Sequence, residues 1–333
     1  MTKYEPTEIG FEKLSDEELS RKVKHYETIE RIGGFLVAAL IIVGVILGLL
    51  LDGSGVLLLA LMIILAVVAM KMIPMRAEGK KNALLIQQLS GYFYGELARL
   101  FGPEPEKPEL LINEAVLRST DPVRNYWKDC RVTDFHEGVS NGVRFSAANV
   151  FLSRKEDSNN SEDSSTYTVC TFYGIVLRCK DICDPSLNIA LRDRSSFRIP
   201  VRLNDSLQDP DKLRSCYPAR SIGGLNDPDT FREYYSAHTW DGQAADGLVT
   251  QQMRELIGKL ETFIADGRVA ALTFRDGELT LAMHTSYAFS HIPDKQSLRD
   301  IEGVRKAYTA SLIAMAGLIN LLRENVPPFT EQD

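Results

Sequence analysis

Two long apolar runs lie close together near the N-terminus of the chain. Residues 32–51 contain no charged side chain, and residues 56–75 contain one, Lys71. About twenty helical residues extend roughly 30 Å, which is the thickness of the hydrocarbon core of a bilayer. The intervening sequence Asp-Gly-Ser-Gly, at 52–55, favours a tight turn. The pattern therefore predicts a transmembrane helical hairpin over residues 32–75, with the lipid bilayer as its first partner.

A cleaved signal peptide is the alternative explanation of the first run, and it fits poorly. A polar tail precedes the run, which is longer than the usual apolar core of ~7–15 residues and is followed by a second run. Basic residues flank the pair on its outer sides, whereas the connecting turn carries only Asp52. The positive-inside rule then places both termini in the cytoplasm.

The first run contains the small-residue pattern Gly44-Val-Ile-Leu-Gly48. Small residues four positions apart let two membrane helices approach closely. The partner helix is either the same span of a second copy or the second span of the same chain. The short turn forces the two spans of one chain to lie side by side, which favours transmembrane packing within the chain.

The polar and apolar patterns divide the rest of the chain into three parts. Residues 1–31 form a cytoplasmic tail, in which Ser15 and Glu18 have the spacing of a capping box that begins a helix. Residues 76–108 form a connector, with an amphipathic helix at 78–101 and then a linker containing Pro103, Pro105 and Pro108. Residues 109–333 form a cytoplasmic domain.

Within 109–333 the pattern alternates between strands and helices. Two hairpins are predicted, one around Asn141-Gly142 and one around Asp276-Gly277, because such pairs favour tight turns between strands. The predicted strands are 132–138, 143–152, 166–178, 197–203, 231–240, 269–274 and 278–284. The predicted helices are 109–118, 247–265 and 296–323. Residues 156–165 are expected to form a flexible loop, and 204–230 a long surface excursion.

This succession predicts an α+β fold with an antiparallel sheet and flanking helices. The last helix includes an uncharged stretch, 307–322, that is short for a third span and contains Asn320. We therefore expect that helix to be buried in the domain. A membrane-associated position is the alternative.

Charge and cysteine content narrow the functional classes. The net charge is −7 and the isoelectric point is about 5.4, which argues against binding nucleic acid through a basic surface. Five cysteines in 333 residues do not form a disulfide scaffold. A cytoplasmic domain would keep them as thiols.

Two short motifs resemble catalytic or metal sites. Gly138-Val-Ser140-Asn-Gly142 matches the nucleophile elbow of serine hydrolases, but the elbow requires a following helix, and the sequence after it predicts a strand. Cys179 and Cys183 are separated by three residues, and the sequence has no second pair of Cys or His with the spacing typical of zinc ligands. We therefore predict ordinary thiols and no metal site. The sequence also lacks a Walker A loop and a Gly-x-Gly-x-x-Gly motif, so no cofactor is predicted.

One group of polar and aromatic residues is a candidate binding site. His238 and Trp240 share one face of a predicted strand, next to Asp241. A turn at Asp241-Gly242 is the structural alternative. A second histidine, His136, is followed by an acidic residue, Glu137. We expect this pair at the surface of the first hairpin.

Several of these residues carry a resemblance to a known family. Gly174 in a predicted strand, and then Tyr235, Asp241, Ala245 and Thr250, resemble the motif of the bacterial DUF3137 family of membrane proteins. The resemblance covers roughly 115–290 and includes the paired N-terminal spans. It implies structural roles for these residues, with Asp241 in a turn and Thr250 at a helix N-cap. It also implies, weakly, a LemA-type membrane protein as partner, and it adds no catalytic residue.

The sequence predicts a membrane-tethered interaction or assembly module that binds a membrane or cytoplasmic protein. Two alternatives remain. The first is an enzyme with a site near His238 and Asp241, and the second is an accessory subunit of a membrane transport complex. Two short spans without a buried charge do not form a transport path alone. A homo-oligomer is compatible with all three.

Overall fold

The computed structural model describes most of the chain beyond residue 90. The described parts are Ser15, 17–29, isolated positions between 31 and 89, 91–120, 127–157, 166–195, 197–200, 210–217, 222–240, 242–290 and 301–326. The chain divides into two compact units, one formed by 1–95 with 293–307 and the other by 96–292 with 308–333.

The first unit contains the helical residues 17–29. The predicted capping box is confirmed, because the Ser15 N–H donates to the Glu18 carboxylate at 3.1 Å and the Glu18 N–H donates to the Ser15 hydroxyl at 3.3 Å. Apart from Ile32 and Ile42, the predicted hairpin, with Gly44 and Gly48, lies outside the described residues. Among the residues that are described, no helix has both the length and the apolar character needed to cross a bilayer.

The second unit is built on one antiparallel sheet. Its strands are β1 (Asp129–Ser140), β2 (Val143–Asp157), β3 (Thr166–Lys180), β4 (Ile189–Asp193), β5 (Ile199–Pro200), β6 (Tyr235–His238), β7 (Arg268–Arg275) and β8 (Glu278–His284). Seven strands lie in the order β1-β2-β3-β8-β7-β4-β6, and the short β5 pairs with β3. Nearly every residue of β7 and β8 is buried, so both faces of the sheet centre are covered.

Both predicted hairpins are confirmed. Asn141 and Gly142 have φ of 48° and 83°, and Asp276 and Gly277 have φ of 53° and 79°. Positive φ at both central residues is the conformation whose twist matches that of the flanking strands, and Asn-Gly and Asp-Gly adopt it at low cost. Each turn thereby fixes the register of its strand pair.

The described helices of this part of the chain are α1 (Glu114–Thr120), α2 (Pro210–Ser215), α3 (Pro228–Tyr234), α4 (Gln251–Phe263) and α5 (Ile301–Asn325). The α+β class with an antiparallel sheet and flanking helices is therefore confirmed. The predicted helix at 296–323 corresponds to α5. Its apolar residues Leu312, Met315, Leu318, Ile319 and Leu322 are fully buried.

The prediction of a strand over 231–240 is wrong in its first half. Asp227 is the N-cap of α3, where its side chain accepts the Thr230 N–H at 2.8 Å, and Pro228 lies in the first turn. This local start signal outweighs the aromatic residues that suggested a strand. The excursion predicted over 204–230 also needs correction, because it contains α2 and a 3₁₀ turn, and Leu213 and Leu225 are fully buried.

Candidate functional site

The residues singled out from the sequence fall at the edge of the sheet. His238 ends β6 and pairs with Ala190. Trp240 lies just beyond, where its indole N–H donates to the Phe274 carbonyl at 3.4 Å and the Arg275 guanidinium lies 4.9 Å from the ring centroid. Asp241 lies outside the described residues. A binding site formed by all three therefore stays a prediction.

Four other residues of the family-like motif make structural contacts. Thr250 is the N-cap of α4 and accepts the Met253 N–H at 3.2 Å. Ala245 is buried, and its N–H donates to a backbone carbonyl. The Tyr235 hydroxyl is buried and donates to the Glu261 carboxylate at 2.8 Å. Gly174, in the middle of β3, has no room for a side chain.

The two short motifs have no catalytic geometry. Ser140 ends β1, and a two-residue turn and the strand β2 follow it, so the strand-to-helix elbow of a hydrolase is missing. Cys179 and Cys183 are free and buried, and burial raises the pKa of the Cys183 thiol to about 11. No group of three potential metal ligands occurs in the part of the chain that the structure describes.

A cavity of about 320 Å³ lies where the connector crosses the end of β1. We call residues 102–109 the proline segment. Phe101 before it and Leu110 after it are almost completely buried, at 1 % exposure each, so the segment is anchored at both ends. Gly102, with φ of 78°, turns the chain out of the helical residues 91–101. The space between this segment and the strands is the β1 cavity.

The sequence explains the close approach of the connector to the strand. A Cβ atom on Gly138 would lie 2.5 Å from the Phe101 carbonyl oxygen, so only glycine allows the two backbones to come this near. The Phe101 ring packs edge-on against Phe145, with 4.9 Å between ring centroids. At the far end, Glu109 pairs with Arg144 at 2.5 Å and with Lys180 at 3.5 Å. Aromatic packing and ion pairs thus hold the segment over β1.

The β1 cavity contains one buried carboxylate. Glu137 is only 3 % exposed, and its Oε2 accepts the Leu110 N–H at 2.9 Å. No cationic side chain of the described residues forms an ion pair with it. The expectation that His136 and Glu137 lie at the surface is therefore wrong. The sequence does contain a signal for this anchoring that our sequence-based predictions did not use: two large apolar residues, Phe101 and Leu110, flank a proline-rich stretch.

A second polar cluster lies inside the domain, away from solvent. Arg268 on β7 donates to Asp193 on β4 at 2.7 Å, and both side chains are less than 10 % exposed. Arg268 also donates to the Ser195 hydroxyl at 3.2 Å and stacks 4.8 Å from the ring centroid of Tyr217. The guanidinium is therefore hydrogen-bonded and covered by an aromatic ring. We call this group the polar core.

His284 adjoins the polar core and is enclosed by aromatic rings. Its ring centroid lies 4.4 Å from that of Phe197 and 4.7 Å from that of Phe172. Neither His284 Nδ1 nor the Tyr217 hydroxyl has a hydrogen-bond partner, although both atoms are buried. Burial lowers the pKa of His284 to about 3, and it lowers the pKa of His136 to about 4. Both imidazoles are neutral in the folded domain at neutral pH.

The buried histidines predict a loss of stability in acid. Below pH 6.5 an exposed imidazole in the unfolded chain binds a proton that the folded domain excludes, so the unfolded state is favoured as pH falls. Each histidine contributes up to about 1.4 kcal/mol per pH unit until its folded pKa is reached. We expect the free energy of unfolding of His284→Phe to fall less steeply than that of the wild type between pH 6.5 and 4, as measured by urea titration.

The same comparison above pH 7 is the control, because both states then hold neutral imidazoles. Wild type and His284→Phe should show equal slopes there, whatever their absolute difference in stability. Equal slopes between pH 6.5 and 4 would show that His284 accepts a proton in the folded domain, and the enclosure by Phe172 and Phe197 would then be wrong.

Comparisons of the chain with protein-family models, with curated proteins and with solved structures found no match. The resemblance to the DUF3137 family therefore stays a prediction.

Proposed function

We propose that the protein is a membrane-tethered interaction module of the bacterial inner membrane, in which residues 32–75 anchor a cytoplasmic α+β domain that binds a partner protein. The observation that carries this proposal is the pair of apolar runs, each of membrane-spanning length, joined by four residues and flanked by basic residues. Membership of the DUF3137 family, with a LemA-type protein as partner, is part of the same proposal.

The β1 cavity supports the binding half of the proposal. It lies on an edge strand, since β1 is first in the strand order, and the chain itself forms one of its walls. Concave sites with apolar walls and few polar groups are the usual places for recognition. The buried polar core, in contrast, is built for stability, because its charged groups pair with each other inside the domain.

The proposed topology predicts which positions can be labelled from outside the cell. Ser54→Cys lies in the turn between the runs, and a maleimide that does not cross membranes should label it in intact spheroplasts. Ser15→Cys lies in the cytoplasmic tail, and it should be labelled only after the membrane is opened. Gel-shift of the purified protein measures both.

The native thiols provide an internal control, since the partly exposed Cys130 and Cys216 belong to the domain proposed to be cytoplasmic. They should also stay unlabelled until lysis. If Ser15→Cys is labelled in intact spheroplasts and Ser54→Cys is protected, the orientation is the opposite of the one proposed. If carbonate washing releases the whole protein from membranes, residues 32–75 do not span the bilayer and the proposed anchor is wrong.

The interaction itself is tested by mass spectrometry of what co-purifies with the full-length protein after gentle solubilisation. We expect a near-stoichiometric partner protein that is not recovered with an unrelated two-span control. A protein that is repeatedly recovered alone, from native expression levels, would contradict an interaction module.

A further inference from the structure

We infer that the β1 cavity receives a basic side chain, lysine or arginine, from an extended segment of the partner protein, and that Glu137 is the counter-ion of this side chain. This inference rests on the proposed function and names the chemistry of the partner.

The first argument is the charge of Glu137. A buried carboxylate is normally paired with a cation or held by several hydrogen bonds, because removing its charge from water is costly. The buried Glu261 and Asp266 of this domain each accept two hydrogen bonds. Glu137 is 3 % exposed and receives one neutral backbone donor, the Leu110 N–H. Within the described part of the chain it has no ion-pair partner. A ligand cation would supply the missing charge.

The nearby cations of the domain already have a different partner or lie in solvent. Arg144 and Lys180 both pair with Glu109, at the far end of the proline segment. Lys107 lines the cavity, but its side chain is exposed. Arg144 and Glu109 also line the cavity, where they neutralise each other, so Lys107 is the lining cation without a described ion pair that would compete with a ligand for the carboxylate.

The shape of the cavity fits a long side chain with an apolar stem. Phe101, Pro103, Pro105 and Val139 provide apolar wall, and Val139 is 51 % exposed although it belongs to a strand. Lysine and arginine bury their methylene groups against such walls while the charged head reaches a polar partner. A volume of about 320 Å³ is at the small end for ligand sites and suits one side chain.

The position on β1 favours an extended segment as the carrier of this side chain. β1 lies at the end of the strand order, so one of its edges has no neighbouring strand in the described sheet. An extended peptide can run along such an edge up to the point where the proline segment packs against residues 137–139, and place a side chain into the cavity there. Residues 137–139 line the cavity and belong to this strand.

The test measures binding of two labelled peptides to the full-length protein in nanodiscs of zwitterionic lipid. The probes are fluorescein-labelled Ser-Val-Arg-Val-Ser and the same peptide with citrulline, which keeps the shape of arginine but carries no charge. Fluorescence anisotropy should show at least tenfold tighter binding of the arginine peptide. Empty nanodiscs correct for binding to lipid.

The variant Glu137→Gln removes the charge and keeps an amide oxygen that can accept the Leu110 N–H. It should weaken binding of the arginine peptide at least tenfold and leave the citrulline peptide unchanged. The matched control is Glu114→Gln, which removes an equal charge from an exposed pair with Arg118 and should change neither peptide. Lys107→Gln should tighten binding, because it removes the competing cation.

Three results would overturn the inference: equal affinity for the two peptides, no binding of either at millimolar concentration, or arginine binding that Glu137→Gln leaves unchanged. The comparison of the two peptides on the wild type does not depend on the folding of any variant. The two proposals can fail separately. If a partner co-purifies but the peptides do not bind, the protein is still an interaction module, and the partner contacts a surface other than the β1 cavity.

Discussion

Replacing Gly174 with alanine is expected to prevent stable folding of the α+β domain. A Cβ atom at this position would lie 2.0 Å from the Met283 carbonyl oxygen and 2.9 Å from the backbone of both His284 and Thr285. All three contacts are with backbone atoms of β8 and its end, so no side-chain rotation relieves them. The φ of 154° adds strain for any residue with a Cβ. We expect a cost of at least about 3 kcal/mol, at the upper end for overpacking.

The measurement is thermal unfolding followed by tryptophan fluorescence. The chain has two tryptophans, Trp127 and Trp240, and both belong to the second unit, so the signal reports on this domain. Gly247→Ala is the matched control, because no atom lies within 4 Å of a Cβ built there. A Gly174→Ala protein that melts within a few degrees of the wild type would mean that β3 and β8 do not approach as closely as described.

Gly174 also shows why a sequence motif can be structural without being catalytic. It pairs with Val150 on β2 and with His284 on β8, at the point where three strands of the sheet lie side by side. The same contact determines where His284 enters the aromatic enclosure beside the polar core. The position is thus constrained by the packing of the sheet, and no substrate is needed to explain it.

The elements predicted well from sequence are those fixed by neighbouring residues. The turns at Asn141-Gly142 and Asp276-Gly277 need only two residues with positive φ, and the N-cap Thr250 needs only the first turn of its helix. β4 was not predicted. It has five residues, Ile189–Asp193, and it is a strand because β7 and β6 pair with it from distant parts of the chain.

The candidate site was harder to predict than the fold for the same reason. Glu137 belongs to a strand of the first hairpin and follows another polar residue, His136, and this pair suggested an exposed position. Its burial depends on Phe101 and Leu110, which hold the proline segment against β1. The pairing of Asp193 with Arg268 is equally non-local, since the two residues lie 75 positions apart. Neither contact leaves a periodic signal in the sequence.

Asp193 and Glu137 both have buried carboxylates, but they differ in what compensates the charge. Asp193 is paired with a guanidinium inside the domain, whereas Glu137 has only a backbone donor and faces a cavity. The two variants that remove these charges are therefore expected to differ. Neutralising Asp193 should affect stability, and neutralising Glu137 should affect binding.

Replacing Asp193 with asparagine is expected to destabilise the domain by about 3–5 kcal/mol, because it leaves the buried Arg268 charge without its counter-ion. Both side chains of this pair are less than 10 % exposed, so water does not replace the lost carboxylate. For a domain of this size the melting temperature should fall by roughly 6–20 °C. Urea unfolding followed by tryptophan fluorescence gives the free energy directly.

Two further variants separate the buried charge from other effects of the substitution. Glu114→Gln breaks an exposed ion pair with Arg118, whose N···O distance of 2.8 Å is close to the 2.7 Å of the buried pair. It should cost less than about 1 kcal/mol of stability. The double variant Asp193→Leu with Arg268→Met removes both buried charges together, and it should be more stable than Asp193→Asn alone because no unpaired ion remains. A double variant that is less stable than Asp193→Asn would show that Arg268 stabilises the domain chiefly through Ser195 and Tyr217, and that the ion pair itself contributes little.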